Sequence, residues 1–182
     1  MKLEETQKIA DDLRFQLRSY CTRIEIAGSV RRQKPEVKDI ELVAVPKVTE
    51  AKDLFGNVIS LISSLDTIDW REYGGVVKNG MRYKQINLKA GINLDLFIVL
   101  PPAQWGVIYT IRTGPPEFSQ WLVTTKSKGG ALPDQYRVLD GAIRARLNLD
   151  MIFSTAEEAD FFELLGLKWL DPWERQAIWR GR

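Results

Sequence analysis

The sequence predicts an α+β protein: a mixed or antiparallel sheet flanked by helices, followed by a small α+β module. Three observations carry that prediction. Residues 2–19 place Leu3, Ile9, Leu13 and Leu17 on one helical stripe. Residues 39–45 and 92–100 are apolar runs with isolated acids, the pattern of strands whose faces differ. Residues 67–97 are cut into hairpin-length pieces by Gly74-Gly75, Asn79-Gly80 and Ala90-Gly91, and Asn-Gly is a strong hairpin signal.

Each element follows in order. The first helix carries Lys8, Asp11, Asp12, Arg14 and Arg18 on its other, solvated face. A short strand over 23–27 feeds Gly28-Ser29, the strand–glycine–helix context in which backbone N–H groups make an anion site. After the 39–45 strand, residues 49–64 read as a helix with Leu54, Val58, Ile59 and Leu61 apolar. Pro101 and Pro102 open a helical segment to Arg112, broken by Gly114-Pro115-Pro116, and a shorter helix follows over 117–126. Thr155 with Glu158 forms a capping box ahead of an apolar run to Leu165. A boundary near 101–113 separates two domains, 1–104 and 105–182, and the cleft between such domains is the usual place for a substrate.

Composition narrows the chemistry. The 182 residues suffice for one large or two small domains, and 45% hydrophobic content supports a packed core. A net charge of +2 permits nucleic-acid binding without pointing to it, so local clustering has to carry that argument. The absence of histidine excludes a Ser-His-Asp or Cys-His mechanism and histidine metal ligands. The single cysteine, Cys21, excludes an internal disulfide and a cysteine zinc cluster. The first residues lack an apolar signal core, and residues 94–111 are interrupted by Asp95, Pro101, Pro102 and Gln104. A soluble, cytoplasmic protein with no membrane association is expected.

One stretch organises the chemistry: GSVRRQKPEVKDIELVAV, residues 28–45. Asp39 and Glu41 share a strand face opposite Ile40 and Leu42. Neighbouring carboxylates repel and lose hydration, so such a pair is kept mainly where a divalent cation or a proton sits between them. In INLDLFIVL, Asp95 is the only charge. If that strand lies beside the first, Asp95 becomes a third carboxylate, and three carboxylates near a phosphate cradle suit two magnesium ions aligned for phosphoryl or nucleotidyl transfer. A lone Asp-x-Glu more often marks a solvated face, and the Gly-Ser-x-Arg-Arg segment is what raises this one above that reading.

Gly28-Ser29, Arg32, Asp39-x-Glu41 and Asp95 together resemble the nucleotidyltransferase core, or palm, of DNA polymerase family X, the polymerase beta-like group. Residues 105–122 resemble that family's Thr-Gly nucleotide-binding segment, and KGGALPDQYRVLDG with the Leu-Gly-Leu and Pro-x-x-Arg ending resembles its last domain. The resemblance spans nearly the whole chain, in a minimal two-domain form. It implies that Asp39, Glu41 and Asp95 hold a catalytic metal, that Asp39 and Glu41 hold the nucleotide-bound one, and that Asp95 accepts the primer hydroxyl proton. It further implies magnesium as the cofactor, with manganese as a substitute. Gly28, Ser29 and Arg32 would grip the β and γ phosphates, Thr113 and Gly114 would shape the sugar pocket, and Ser119 would stand near the base edge. Lys84, Arg112, Lys126, Lys128 and Arg137 would contact DNA. Partners would be gapped or primer–template DNA and a nucleoside triphosphate, bound by a monomer, in short-gap repair synthesis.

Four departures from the family pattern shape the alternatives. Glu41 stands where those polymerases usually have Asp, a spelling shared with small-molecule nucleotidyltransferases. Ile111 and Arg112 occupy the place of an aromatic pair that excludes a ribose 2′-hydroxyl, and Ser119 that of an Asn reading the base. The family's amino-terminal lyase and helix-hairpin-helix modules have no counterpart in the sequence, so no lyase activity is expected. A template-independent transferase acting on RNA, protein or a small molecule is the second reading, and a non-catalytic nucleic-acid-binding module the third. Trp105, Trp121, Trp169 and Trp173 are candidates for base stacking, although core packing is the plainer role for most.

Overall fold

The computed structural model describes residues 1–176. The chain divides into two compact units, one made of Met1–Ile26 with Glu36–Ile98, the other of Ala27–Pro35 with Val99 onward. The protein is α+β, as its sequence predicts.

The first unit opens with α1 (Leu3–Leu17), whose first turn carries Glu4 and Glu5, the charge that suits a helix start. Thr6, Ala10, Leu13 and Leu17 form its buried stripe, and it packs on β1 (Cys21–Ile26) and β2 (Asp39–Pro46). β3 (Val48–Lys52) and β4 (Val58–Ser63) pair as an antiparallel hairpin, not as the helix expected over 49–64. The turn decides it. Asp53 Oδ1 accepts hydrogen bonds from the backbone N–H groups of Phe55 (2.8 Å) and Asn57 (2.9 Å), and Gly56 takes a left-handed φ of 85°. Leu54, which a helix would have turned inward, is wholly exposed at the tip.

β5 (Gly74–Asn79), β6 (Tyr83–Leu88) and β7 (Asn93–Ile98) complete a five-stranded sheet in the order β1-β2-β7-β6-β5. β2 and β7 run parallel and every other neighbour antiparallel, so the sheet is mixed. Ile40, Leu42, Leu94, Leu96, Ile86 and Leu88 are its buried alternates. Gly74-Gly75 is not a turn but the start of β5, where the backbone approaches β6 so closely that a Cβ on Gly74 would lie 2.0 Å from the Asn87 carbonyl oxygen. Gly74→Ala is therefore expected to cost about 1–3 kcal/mol of stability, read by denaturant unfolding.

The DNA contact expected of Lys84 on β6 needs a correction. Lys84 shares its face with Ile86 and Leu88 and is 1% exposed. Its Nζ donates to Asp66 Oδ1 (2.7 Å) and Asn79 Oδ1 (2.6 Å). A buried ammonium must be paired, and this one ties the 3-10 turn Ser64–Thr67 to β5 instead of meeting a phosphate backbone.

In the second unit, α2 (Gly28–Arg31) is a single turn that contacts α3 (Trp105–Thr113). α3 starts at Trp105, after both prolines, and α4 (Pro116–Val123) starts on a proline, which a first helical turn tolerates. β8 (Tyr136–Leu139), β9 (Ala142–Ala145) and β10 (Asn148–Phe153) form an antiparallel sheet in the order β10-β9-β8. Val107, Phe118, Leu122, Leu132, Ile143 and Phe161 belong to one buried cluster, which holds these elements together. α5 (Glu158–Leu165) is capped two residues later than expected, by Glu157 with Asp160. Thr155 instead gives both its N–H and its hydroxyl to Gln104 Oε1, the residue that opens α3. Among the described residues, no helix is long and apolar enough to cross a membrane.

Candidate active site

The acids are placed by strand register. β2 and β7 are neighbours, with Glu41 in register with Asp95 and Asp39 with Asn93. Aligned residues on paired strands share a face, so Asp39, Glu41 and Asp95 all project from one side of the sheet. Each is half-buried, while Ile40, Leu42, Leu94 and Leu96 fill the opposite side. Two stretches distant in sequence are thus neighbours, which is the condition on which Asp95 becomes a third carboxylate.

β6 flanks β7 on its other edge and adds partners that sequence reasoning missed. Tyr83 donates its hydroxyl to Asp95 Oδ1 at 2.7 Å, and Gln85 donates Nε2 to the same oxygen at 3.0 Å. Gln85 is in register with Asp95, so one row across the sheet reads Gln85, Asp95, Glu41.

Carboxylate oxygens are the hard donors that magnesium takes, so the donor set fits that ion in kind. Among the described residues, no three acids are gathered closely enough to hold one cation. Like charges on one face repel each other, and Asp95 has turned Oδ1 to its β6 donors.

The second unit holds the candidate anion seat. Gly28 has φ 58°, which a glycine adopts at no cost, and it lets β1 turn directly into α2. Ser29 Oγ is buried with no hydrogen-bond partner, an arrangement that costs stability unless a ligand supplies one. Arg32 Nη1 donates to the Thr113 carbonyl at 2.6 Å, and Arg31 Nη1 to the Thr113 hydroxyl at 2.6 Å. Gly114 is closely packed: a Cβ there would come within 2.8 Å of the Phe118 ring. Ser119 donates its hydroxyl to the Ile111 carbonyl at 2.6 Å, so its only donor is spent inside the α3–α4 corner.

Behind α2 lies a buried ion triad. Glu158 Oε2 accepts from Arg31 Nη2 at 2.5 Å, and Oε1 from Arg175 Nη1 at 2.9 Å. Arg31 also stacks its guanidinium 3.9 Å from the centre of the Tyr109 ring. Burial by itself would raise the Glu158 pKa, but the two guanidinium groups outweigh it and hold the carboxyl below its ordinary value. Burial also pulls the Arg175 pKa down, from a value so high that the group stays charged. The sequence marked Arg31 only as extra positive charge. Its partners lie in α3, through Thr113 and Tyr109, and in α5, through Glu158.

Arg112, Lys126, Lys128 and Arg137 are exposed. Trp105 is buried and packs on Tyr109 with ring centroids 4.7 Å apart, so it belongs to the core. Trp121 is half-buried against Phe118, while Trp169 and Trp173 are about half exposed, at 44% and 50%.

No protein-family model matches this chain. No curated protein matches it either. Solved structures do. A ternary gap complex of Leishmania infantum polymerase beta superposes with a TM-score of 0.69 at 15% identity, over 97% of this chain and 70% of that one. A ternary primer/template complex of the same polymerase gives 0.68 at 15% identity, over 97% and 76%. The fold is therefore polymerase beta-like.

Proposed function

We propose that this protein is a magnesium-dependent nucleotidyltransferase that adds a nucleotide to a primer 3′-hydroxyl and releases pyrophosphate, in short-gap DNA repair synthesis. The observation that carries the reading is the register of Glu41 with Asp95, with Asp39 next on the same face. The polymerase beta-like fold supports it at the coarser level of a nucleotidyltransferase.

In this reading Asp39, Glu41 and Asp95 hold the catalytic ion, and Asp39 with Glu41 the ion that accompanies the nucleotide. Bound there, magnesium acidifies the primer hydroxyl and neutralises charge on the triphosphate. A carboxylate oxygen of Asp95 accepts the hydroxyl proton. Ser29 Oγ, buried and unpartnered, donates to a phosphate oxygen, which satisfies it. Arg32 supplies a guanidinium fork matched to phosphate geometry, braced by the Thr113 carbonyl. Thr113 and Gly114 shape the sugar pocket through their backbone. Arg112, Lys126, Lys128 and Arg137 offer exposed positive charge to the DNA backbone.

One observation favours a less template-bound variant of the same chemistry. With its donor given to Ile111, Ser119 has none left to read a base edge. Primer extension on gapped, single-stranded and blunt DNA, with each dNTP and rNTP and with Asp39→Ala as control, separates the two. Gap-dependent, template-matched incorporation is expected. Equal incorporation with and without a template strand would instead make the protein a template-independent transferase.

A further inference from the structure

We propose that Tyr83 and Gln85 are positioning residues for Asp95: they fix the carboxylate so that Oδ2 is the oxygen offered to the cation. The proposal rests on the nucleotidyl-transfer reading. Both donors reach the same atom, Oδ1, from one strand. Two hydrogen bonds to one oxygen stop the carboxylate from spinning about its terminal bond and leave the other oxygen for ligation. Both donors are neutral. An arginine or lysine there would compete with a metal ion for the negative charge, whereas a phenol and an amide orient it and leave it intact.

The donors are themselves rigid, as a precise site requires. Tyr83 is in register with Phe97, and their rings stack at 5.1 Å with 25° between planes. Lys78 Nζ lies 5.3 Å from the centre of the Tyr83 ring, a cation that makes the phenol a stronger donor. Gln85 faces Asp95 directly across the β6–β7 ladder. The arrangement belongs to strands and not to loops, so it persists while substrates come and go.

The test is manganese affinity in the presence of a non-hydrolysable deoxynucleoside triphosphate, read from the electron paramagnetic resonance of free Mn2+. Tyr83→Phe keeps the stacked ring and removes only the donor. It should leave the melting temperature unchanged and weaken manganese binding about 10- to 100-fold, the usual range for lost outer-shell partners. Gln85→Met should act in the same direction, and Asp95→Asn should weaken binding at least as much. If Asp95→Asn weakens manganese binding while Tyr83→Phe and Gln85→Met match the unaltered protein, the positioning role is wrong and the nucleotidyl-transfer reading survives. If Asp95→Asn also binds manganese normally, both fall together.

Discussion

Replacing Glu158 with alanine is expected to cost about 3–5 kcal/mol of stability, because it strands two guanidinium groups in a buried setting. Glu158 is 6% exposed, and Arg175 is wholly buried. With the carboxylate gone, the two arginines that it joins would be left facing each other without compensation. The loss should appear in denaturant unfolding of the second unit. It should also disturb Arg31, which holds the Thr113 hydroxyl. A Glu158→Ala protein as stable as the unaltered one would show that the triad does not hold this unit together.

The same group sets a pH dependence. The folded-state pKa of Glu158 is depressed, so its stabilising contribution is fully present above the ordinary glutamate value, about pH 4.3. As pH falls below that value and through the depressed folded one, the carboxylate protonates and the contribution disappears. Stability should therefore be flat near neutrality and drop at acid pH. In a Glu158→Gln protein that component of the acid drop should be missing.

The second large effect is on activity. Asp95→Asn should reduce nucleotide incorporation by at least about 1,000-fold, the equivalent of several kcal/mol of transition-state charge stabilisation. The amide keeps the size of the side chain, and its carbonyl oxygen can still accept from both β6 donors, so folding should be intact by melting temperature. What it loses is the charge that ligates a cation and the basicity that accepts a proton. Residual activity within tenfold would remove Asp95 from the chemistry.

Much of the first unit could be read from residue order. The alternation through Asp39, Ile40, Glu41 and Leu42, and through Leu94, Asp95 and Leu96, gave both strands and their polar faces. That β2 and β7 would be neighbours was a conditional in the sequence, since periodicity says nothing of which strands pair. The β3–β4 hairpin was misread because Leu54, Val58 and Ile59 also suit a helical spacing. The β-branched Val48, Thr49, Val58, Ile59 and Ile62, with Asp53, Gly56 and Asn57 between them, were the signal for a hairpin. Lys84 could have been placed inside by the same alternation, because it keeps step with Ile86 and Leu88. The Arg31–Glu158–Arg175 triad had no local signature at all, for its members meet only through tertiary packing.

The account stands or falls on whether three acids on one sheet face run cation-dependent nucleotidyl transfer. The direct measurement follows a labelled deoxynucleoside monophosphate onto a primer 3′-end together with the pyrophosphate released, with magnesium and with a chelator. Asp39→Asn and Asp95→Asn proteins, checked for folding, run alongside. The account predicts equimolar primer extension and pyrophosphate from the unaltered protein, abolished by the chelator and by either substitution. Extension that continues undiminished in both variants, or without a divalent cation, would contradict it.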